Sequence, residues 1–414
     1  MRLTPDAPIF THCLPNGIRI IHRECQGNLS CCGLVVNAGS RHEGEDEFGL
    51  AHMVEHMLFK GTPKRRPSQI LNHMDRVGGE LNAYTTKEET FLYSIFLRDD
   101  YKRAIELISD LFLNSGFPEI EVEKERDVIL DEINVYEDSP SELIFDDFDQ
   151  LFFPHHALGH RILGRPDTVT SLSRESLLRF HREQYTTDRI VFFSQAPISW
   201  KRVLSLCERF LGSISASNAK EVLVSSKPMP AYGFNTVIEK DTHQTHVLCG
   251  NANYSLYEKD RTGMYFLNNI LGGPGMNSRL NLALRERTGL VYSVESNVSS
   301  FTDSGLFSIY FGTDPQEVDR CLSLLMKELK RLREKPLTTL QWQAARKQLL
   351  GQVLISSENK ENQSLSMGKS MLYFNGYDTM EDFVRKIDGF TPMKLMEIAN
   401  QVLDPEKLSF LFYK

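Results

Sequence analysis

The chain has 414 residues, of which 41% are hydrophobic and 25% are charged, and its formal net charge at pH 7 is -8. This composition is typical of a globular protein rather than a disordered or fibrous one. The acidic balance argues against a nucleic-acid partner, because phosphate backbones need a basic protein face and the largest Lys/Arg cluster is residues 64–66.

The chain also lacks the sequence features of membrane and disulfide-stabilised proteins. It has no uninterrupted run of about 18 apolar residues, and its first residues lack a signal-peptide core. Its seven cysteines are scattered and include no C-x-x-C pair, which is typical of reduced, buried side chains. We therefore expect a cytoplasmic protein with no membrane partner.

Hydrophobic periodicity predicts the same series of elements in both halves of the chain. In the first half the pattern predicts strands at 14–24, 31–40 and 89–97 and helices at 48–59 and 99–115. In the second half it predicts strands at 245–255 and 304–313 and helices at 261–273 and 315–334. Both halves end in a helix followed by a strand, at 177–196 and 395–414. At this length two domains are expected.

This repetition predicts an α+β fold of two homologous domains, each a mostly antiparallel β-sheet packed with α-helices. We place the domains at 1–214 and 231–414, with 215–230 as a linker. When the halves are aligned, His52, Glu55 and His56 correspond to Tyr265, Asn268 and Asn269, and Glu132 corresponds to Gln352. The histidines and glutamates at these positions of the first half are therefore absent from the second half. This difference indicates that only the first copy carries a catalytic site.

The stretch 48–62, FGLAHMVEHMLFKGT, contains a candidate metal motif. His52 and His56 are four residues apart, so on a helix their imidazoles share one face, with Glu55 beside them. This H-x-x-E-H order is the inverzincin signature of zinc peptidases. The alternative is an amphipathic helix whose polar groups are satisfied without a metal.

A third ligand is expected from a second acidic helix. Glu132 follows His56 by 76 residues and shares a helical stripe with Glu125, which could support the site from behind. The alternative is an ordinary acidic surface helix. Two imidazoles and one carboxylate would leave a catalytic Zn²⁺ with an open position for water, and Glu55 could take a proton from that water. The expected reaction is amide hydrolysis.

Several segments together resemble the pitrilysin/insulinase-type inverzincin zinc peptidases, in particular their mitochondrial-processing-peptidase-like branch. They are GLAHMVEHMLFKGT, GGELNAYTTKEETFLY, ERDVILDEI, LGHRILG, LGGPGMNSRL and LRERTGLVYSV. The resemblance implies that His52, His56 and Glu132 bind one Zn²⁺ per chain. It also implies that Glu55 is the general base acting on the zinc-bound water and that Glu125 supports the site.

The resemblance assigns substrate-binding residues as well. In the family, the strand edge around Asn82 and Ala83 holds an extended peptide by β-augmentation. Arg285 and Tyr292 match an arginine and a tyrosine of the second domain that face the zinc. Tyr292 would donate a hydrogen bond to the oxyanion, and Arg285 would bind the substrate backbone or a carboxylate.

Family enzymes enclose peptides in a clamshell of four such domains, and this chain supplies two. The resemblance therefore favours a homodimer in which one protomer's Arg285 and Tyr292 complete the site of the other. A heterodimer with a metal-less homologue is the alternative. The expected activity is endopeptidase action on oligopeptides or unfolded polypeptides. The other hypotheses are a non-catalytic or partner-dependent subunit or scaffold, and a hydrolase of non-peptide amides.

Overall fold

The computed structural model describes residues 7–217 and 227–414. Residues 218–226 of the expected linker, 215–230, lie outside the described residues. The parts of it on either side, 215–217 and 227–230, contain no helix or strand. The expected linker therefore contains no regular structure where it is described.

The described residues contain eleven strands and fourteen α-helices. The strands are β1 (Ile9–Cys13), β2 (Arg19–Glu24), β3 (Leu29–Val36), β4 (Glu80–Thr85), β5 (Thr90–Leu97), β6 (Ile190–Ala196), β7 (Asn235–Ile238), β8 (Thr245–Ala252), β9 (Val291–Ser300), β10 (Gly305–Thr313) and β11 (Ser409–Tyr413). The helices are α1 (Leu50–Met57), α2 (Pro67–Asp75), α3 (Tyr101–Asn114), α4 (Glu119–Glu137), α5 (Pro140–Phe152), α6 (Pro166–Ser171), α7 (Arg174–Gln184), α8 (Trp200–Phe210), α9 (Arg261–Gly272), α10 (Val318–Glu334), α11 (Thr339–Ser357), α12 (Lys360–Phe374), α13 (Met380–Asp388) and α14 (Pro392–Val402).

The chain divides into two compact units that are discontinuous in sequence. Unit 1 consists of Ile355–Met380 and the described parts of Met1–Asn134 and His160–Val224. Unit 2 consists of Val135–Gly159, Glu381–Lys414 and the described part of Ser225–Leu354. This division differs from the contiguous domains 1–214 and 231–414 at two segments, 135–159 and 355–380. Each segment contributes a helix, α5 or α12, whose apolar side packs on the sheet of the unit to which it is assigned.

Unit 1 is a six-stranded sheet covered by helices on both faces. Its strand order is β1-β2-β6-β3-β5-β4, and all neighbours are antiparallel except β2 and β6. Apolar residues of α1, α3 and α4 pack on one face, and Met367 and Met371 of α12 pack on the other. Because both faces are covered, β3 is buried without alternation from Ser30 to Val36.

Unit 2 repeats this arrangement with five strands in the order β7-β11-β8-β10-β9. Its single parallel pair, β7 with β11, corresponds to β2 with β6 of unit 1. Helices α9, α10 and α14 pack on one face and α5 on the other. The common strand order supports the duplication that the sequence predicts, and the fold class of two α+β domains is confirmed.

Helix α1 begins at a left-handed glycine and is capped by a distant carboxylate. Gly49 has φ +95°, and a Cβ there would lie 2.7 Å from the carbonyl oxygen of Leu163. Glu43 accepts hydrogen bonds from the backbone N–H groups of Gly49 and Ala51 at 3.1 and 2.8 Å. The first turn of a helix has no intrahelical partners for its N–H groups, so Glu43 satisfies two donors and fixes where α1 starts. That start places His52 and His56.

Candidate metal centre

Three side chains of unit 1 converge on one point. His52 and His56 lie one turn apart on α1, and Glu132 comes from α4. The Nε2 atoms of His52 and His56 lie 3.8 and 3.7 Å from Oε2 of Glu132. The ligand atoms of all three residues lie within 4.8 Å of one another. These are the residues that the sequence suggests as ligands, and their role as ligands stays a prediction.

The geometry and chemistry of this group fit zinc. Ligands about 2.0–2.1 Å from a tetrahedral zinc are separated by about 3.3–3.5 Å, close to the two measured separations. Both separations are too long for hydrogen bonds. The Nδ1 atom of His52 is buried and has no hydrogen-bond partner among the described residues. The other ring nitrogen, Nε2, lies beyond hydrogen-bond distance of Glu132, and a metal ion bound there would give this buried imidazole a partner on that side.

Burial keeps His52 in the form that a metal needs. It lowers the pKa of His52 to about 3, and repulsion from His56 contributes to the shift. The imidazole is therefore neutral at pH 7, with a lone pair free to bind a cation. Burial of His56 acts in the same direction, but the hydrogen bond to Glu125 and the charges of the nearby carboxylates outweigh it and raise its pKa.

Glu125 contacts His56 on the side away from Glu132. Its Oε1 lies 2.9 Å from Nδ1 of His56, and its side chain is 6% exposed. Burial tends to raise the pKa of Glu125, but the contacts with His56 and Lys60 outweigh it and lower the pKa. A carboxylate can only accept a hydrogen bond, so the proton of neutral His56 sits on Nδ1 and its Nε2 is free. Partners of this kind orient metal-binding histidines.

Glu55 is buried beside the converging residues. Burial raises its pKa, hydrogen bonds from Thr85 and the charge of His56 oppose the shift, and repulsion from Glu132 adds to it. Thr85 is the last residue of β4, so this contact ties Glu55 to the end of that strand. A carboxyl with a raised pKa is a better proton acceptor than an exposed one.

Two residues of this region, Lys60 and Thr85, are not among the site residues predicted from the sequence. The Nζ atom of Lys60 lies 2.5 Å from Oε2 of Glu125. Lys60 follows His56 by four residues, and this spacing is a signal that could have identified it. Thr85 lies in the quoted segment GGELNAYT, but no periodicity or motif spacing distinguishes it from its neighbours.

Strand β4, which contains Asn82 and Ala83, is an edge strand. In the register of the sheet Asn82 is paired with Tyr93 and Ala83 with Leu92 of β5. Within the described residues, no strand pairs with the other side of β4. This leaves one side of β4 available to a peptide in the extended conformation.

Arg285 and Tyr292 belong to unit 2 and lie close together. Arg285 is part of a short π-helical segment, Asn281–Glu286, and Tyr292 is the second residue of β9. The guanidinium carbon of Arg285 lies 5.9 Å from the centre of the Tyr292 ring, within cation–π range. Tyr292 is 84% exposed, so its hydroxyl can reach a ligand.

Unit 2 has a neutral hydrogen-bonded pair at the position of two of the candidate metal ligands. Asn269 and Gln352, which correspond to His56 and Glu132, are joined by a 2.7 Å hydrogen bond from the Asn269 amide. Asn268, the counterpart of Glu55, donates to the carbonyl of Ser296 at 2.9 Å. Direct contact between Asn269 and Gln352 supports the alignment of the halves. Unit 2 is therefore an internal control that has the same fold without the candidate metal ligands.

Helices long and apolar enough to cross a bilayer are absent from residues 7–217 and 227–414.

Comparisons with known proteins give a consistent result for both halves. A sequence model of the family described as "Insulinase (Peptidase family M16)" matches residues 19–165. A model described as "Peptidase M16 inactive domain" matches residues 171–349. The chain is 31% identical over 391 residues to the uncharacterized zinc protease YmxG of Bacillus subtilis, with 94% of each chain covered. It is 34% identical over 399 residues to the uncharacterized zinc protease SCO5738 of Streptomyces coelicolor, covering 94% of this chain and 86% of that one.

Solved structures share the fold at lower identity. A protease from Helicobacter pylori superposes with a TM-score of 0.93 at 18% identity, covering 99% of this chain and 100% of that one. A peptidase M16 inactive domain from Pseudomonas fluorescens gives a TM-score of 0.89 at 19% identity, covering 98% and 97%. With relatives named zinc proteases aligned over almost its whole length, the chain belongs to the insulinase family of peptidases, family M16.

Proposed function

We propose that the chain is a zinc-dependent endopeptidase that hydrolyses peptide bonds of oligopeptides or unfolded polypeptides. The observation that carries the proposal is the convergence of His52, His56 and Glu132, with the buried carboxyl of Glu55 beside them. When bound, zinc would supply a Lewis acid that acidifies water and polarises a carbonyl group. Two histidines and one carboxylate are the ligand set of many zinc peptidases, and they leave one position open.

Glu55 acts as the general base in this proposal. It takes a proton from the attacking water and delivers it to the leaving amine. Its burial raises its pKa and so strengthens it as a base.

The substrate binds in an extended conformation along β4. The open side of this edge strand offers backbone hydrogen bonds around Asn82 and Ala83 that do not depend on side-chain sequence. Tyr292 donates a hydrogen bond to the developing oxyanion, and Arg285 binds the substrate backbone or a carboxylate. These last two roles rest on the family resemblance and on the exposure and proximity of the pair.

The proposal is tested with the purified chain and a mixed oligopeptide pool, analysed by mass spectrometry. New internal cleavages are expected with the zinc-loaded wild type. They should be absent with Glu55→Gln and with a chelator, and they should persist with Asp131→Asn. Asp131 is an exposed acid beside Glu132 in the chain, so that variant controls for loss of one negative charge. Cleavage that survives in Glu55→Gln would contradict the role of Glu55.

We further propose that a second copy of the chain completes the site. The chain carries both the candidate ligands and the pair Arg285 and Tyr292, which supports a homodimer. Mixing inactive Glu55→Gln with inactive Tyr292→Phe tests this. If Tyr292 acts on the partner's site, half the dimers are mixed and one of their two sites is intact, so about a quarter of wild-type activity returns. No recovery after subunit exchange would exclude the arrangement.

The alternative is a non-catalytic subunit or scaffold, or a subunit that needs a metal-less partner. The family model described as an inactive domain matches residues 171–349, which include Asn269, the counterpart of His56. The peptide experiment distinguishes the two proposals. Zinc bound at one equivalent per chain without any cleavage would favour the scaffold or partner-dependent subunit.

A further inference from the structure

Lys60 is a charged residue near the candidate metal centre that has no role in the proposed reaction. It lies beyond the end of α1, four residues after His56 in the chain, and its side chain is 28% exposed. Its ammonium group lies 2.5 Å from Oε2 of Glu125, while Oε1 of the same carboxylate lies 2.9 Å from Nδ1 of His56. Glu125 therefore bridges Lys60 and His56 with separate oxygens.

The bridge explains how a carboxylate is held charged at this position. The side chain of Glu125 is 6% exposed, and a buried carboxylate is costly unless a cation or several donors compensate it. Lys60 provides the cation. The contact with Glu125 engages Nδ1 of His56 and turns the opposite ring nitrogen, Nε2, toward Glu132, 3.7 Å away. The ring orientation of His56 therefore depends on Glu125 directly and on Lys60 through Glu125.

Unit 2 shows that the fold does not require this bridge. In the alignment of the halves, Lys60 corresponds to Gly273 and Glu125 to Ala345. The corresponding helices of unit 2, α9 and α11, pack in its core without either charged residue. Lys60 and Glu125 are therefore absent in the copy that also lacks the metal ligands. Their presence in unit 1 correlates with the site rather than with the packing of the helices.

We propose that Lys60 is a positioning residue for the metal centre, acting through Glu125 on the orientation and tautomer of His56. The proposal rests on the proposed zinc site. Partners one contact beyond a metal ligand, as Glu125 is here, typically contribute 10–100-fold to metal affinity. Lys60 lies one contact further out and acts only through Glu125, so we expect the lower end of that range, about tenfold weaker zinc binding, when the ammonium group is removed.

The test measures zinc affinity of the full-length apoprotein by competition with a chromogenic chelator. Lys60→Met is expected to bind zinc about tenfold more weakly, and Lys60→Arg to restore most of the affinity. The matched control is Lys124→Met, which removes the same charge next to Glu125 in the chain. Lys124 pairs with Glu121 on the surface at 2.9 Å, and its side chain is 62% exposed. Thermal unfolding of each apoprotein checks that all variants fold.

Two further readouts separate positioning from other effects. In a Glu125→Gln background, Lys60→Met should weaken zinc binding no further, because the bridge is already broken. The visible spectrum of the cobalt-substituted protein should change in Lys60→Met and not in Lys124→Met. Three results would each overturn the proposal. The first is an unchanged zinc affinity in Lys60→Met, and the second is a loss of affinity in Lys124→Met equal to that in Lys60→Met. The third is a further loss of about tenfold in affinity when Lys60→Met is added to Glu125→Gln. If the wild type itself binds no zinc, the proposed function fails and this proposal fails with it. If the wild type binds zinc and Lys60→Met binds it equally well, only this proposal fails.

Discussion

The substitution Glu132→Gln tests the metal centre with a residue that the chain already uses at the corresponding place. In unit 2 that residue is Gln352, which is hydrogen-bonded to Asn269. In unit 1 the side chain of Glu132 is 45% exposed and lies 3.7 Å or more from the histidine nitrogens. Because no hydrogen bond among the described residues is lost, the stability of the apoprotein should change by less than about 0.5 kcal/mol.

The effect should appear only when zinc is present. A ligand at 100 times its dissociation constant stabilises the folded state by about 2.7 kcal/mol. If loss of the carboxylate weakens zinc binding about 100-fold, the same zinc concentration stabilises the variant by only about 0.4 kcal/mol. The difference of about 2.3 kcal/mol corresponds to about 5–9 °C in Tm for a unit of 150–250 residues.

The assay is thermal unfolding of the wild type, Glu132→Gln and Asp131→Asn, each with and without zinc. The wild type and Asp131→Asn should show the full zinc-dependent increase in Tm, and Glu132→Gln should lose most of it. An undiminished increase in Glu132→Gln would refute the assignment of Glu132 as a ligand. A large loss of apoprotein stability would show that the Glu132 carboxylate has a stabilising partner beyond those seen in residues 7–217 and 227–414.

Three other predictions concern different residues. Tyr292→Phe should lower kcat about 10²–10³-fold with little change in KM, measured by steady-state peptide hydrolysis, because an oxyanion donor acts mainly in the transition state; an equal rise in KM would argue against that role. Asn269→Ala should destabilise the protein by about 0.5–1.5 kcal/mol in urea unfolding, because it removes the hydrogen bond that the Asn269 amide donates to the side-chain oxygen of Gln352. The exposed Asn277→Ala is the control. Burial and the charge of Arg189 lower the pKa of His42 to about 4. The unfolded chain therefore binds a proton at His42 more tightly than the folded chain does, and stability falls as the pH is lowered from 6.5 to about 4. The slope of unfolding free energy against pH should be smaller in His42→Asn, with a maximal difference of about 3 kcal/mol, and equal slopes would contradict the assignment.

Much of the fold could be predicted from the sequence because its two halves repeat the same apolar patterns. The duplication, the α+β class and the family membership are confirmed. The spacing of His52 and His56 determines that they share a helical face, and it needs no tertiary information. The roles of Arg285 and Tyr292, the homodimer, the cytoplasmic location and the mitochondrial-processing-peptidase-like branch stay predictions.

Other features depend on tertiary contacts that periodicity does not encode. The assignment of 135–159 to unit 2 and 355–380 to unit 1 could not be read from local patterns, because an amphipathic helix does not specify which sheet it covers. Likewise, the contact between Glu43 and the start of α1 joins a loop to a helix through two backbone N–H groups. Only the folded chain shows that this carboxylate caps the helix of the candidate ligands.

The placement of α12 in unit 1 has a consequence for biosynthesis. Ribosomes add about 5–20 residues per second, and domains generally fold as their sequence emerges. The residues of α12 that cover the sheet of unit 1, such as Met367 and Met371, are made about 170 residues after β6, its last strand. At those rates the apolar face of Ile21, Val35 and Phe193 would wait roughly 10–30 seconds for its cover. A nascent chain of this protein should therefore need protection by a chaperone until residue 374 has left the exit tunnel, and truncation before α12 should produce an aggregation-prone fragment.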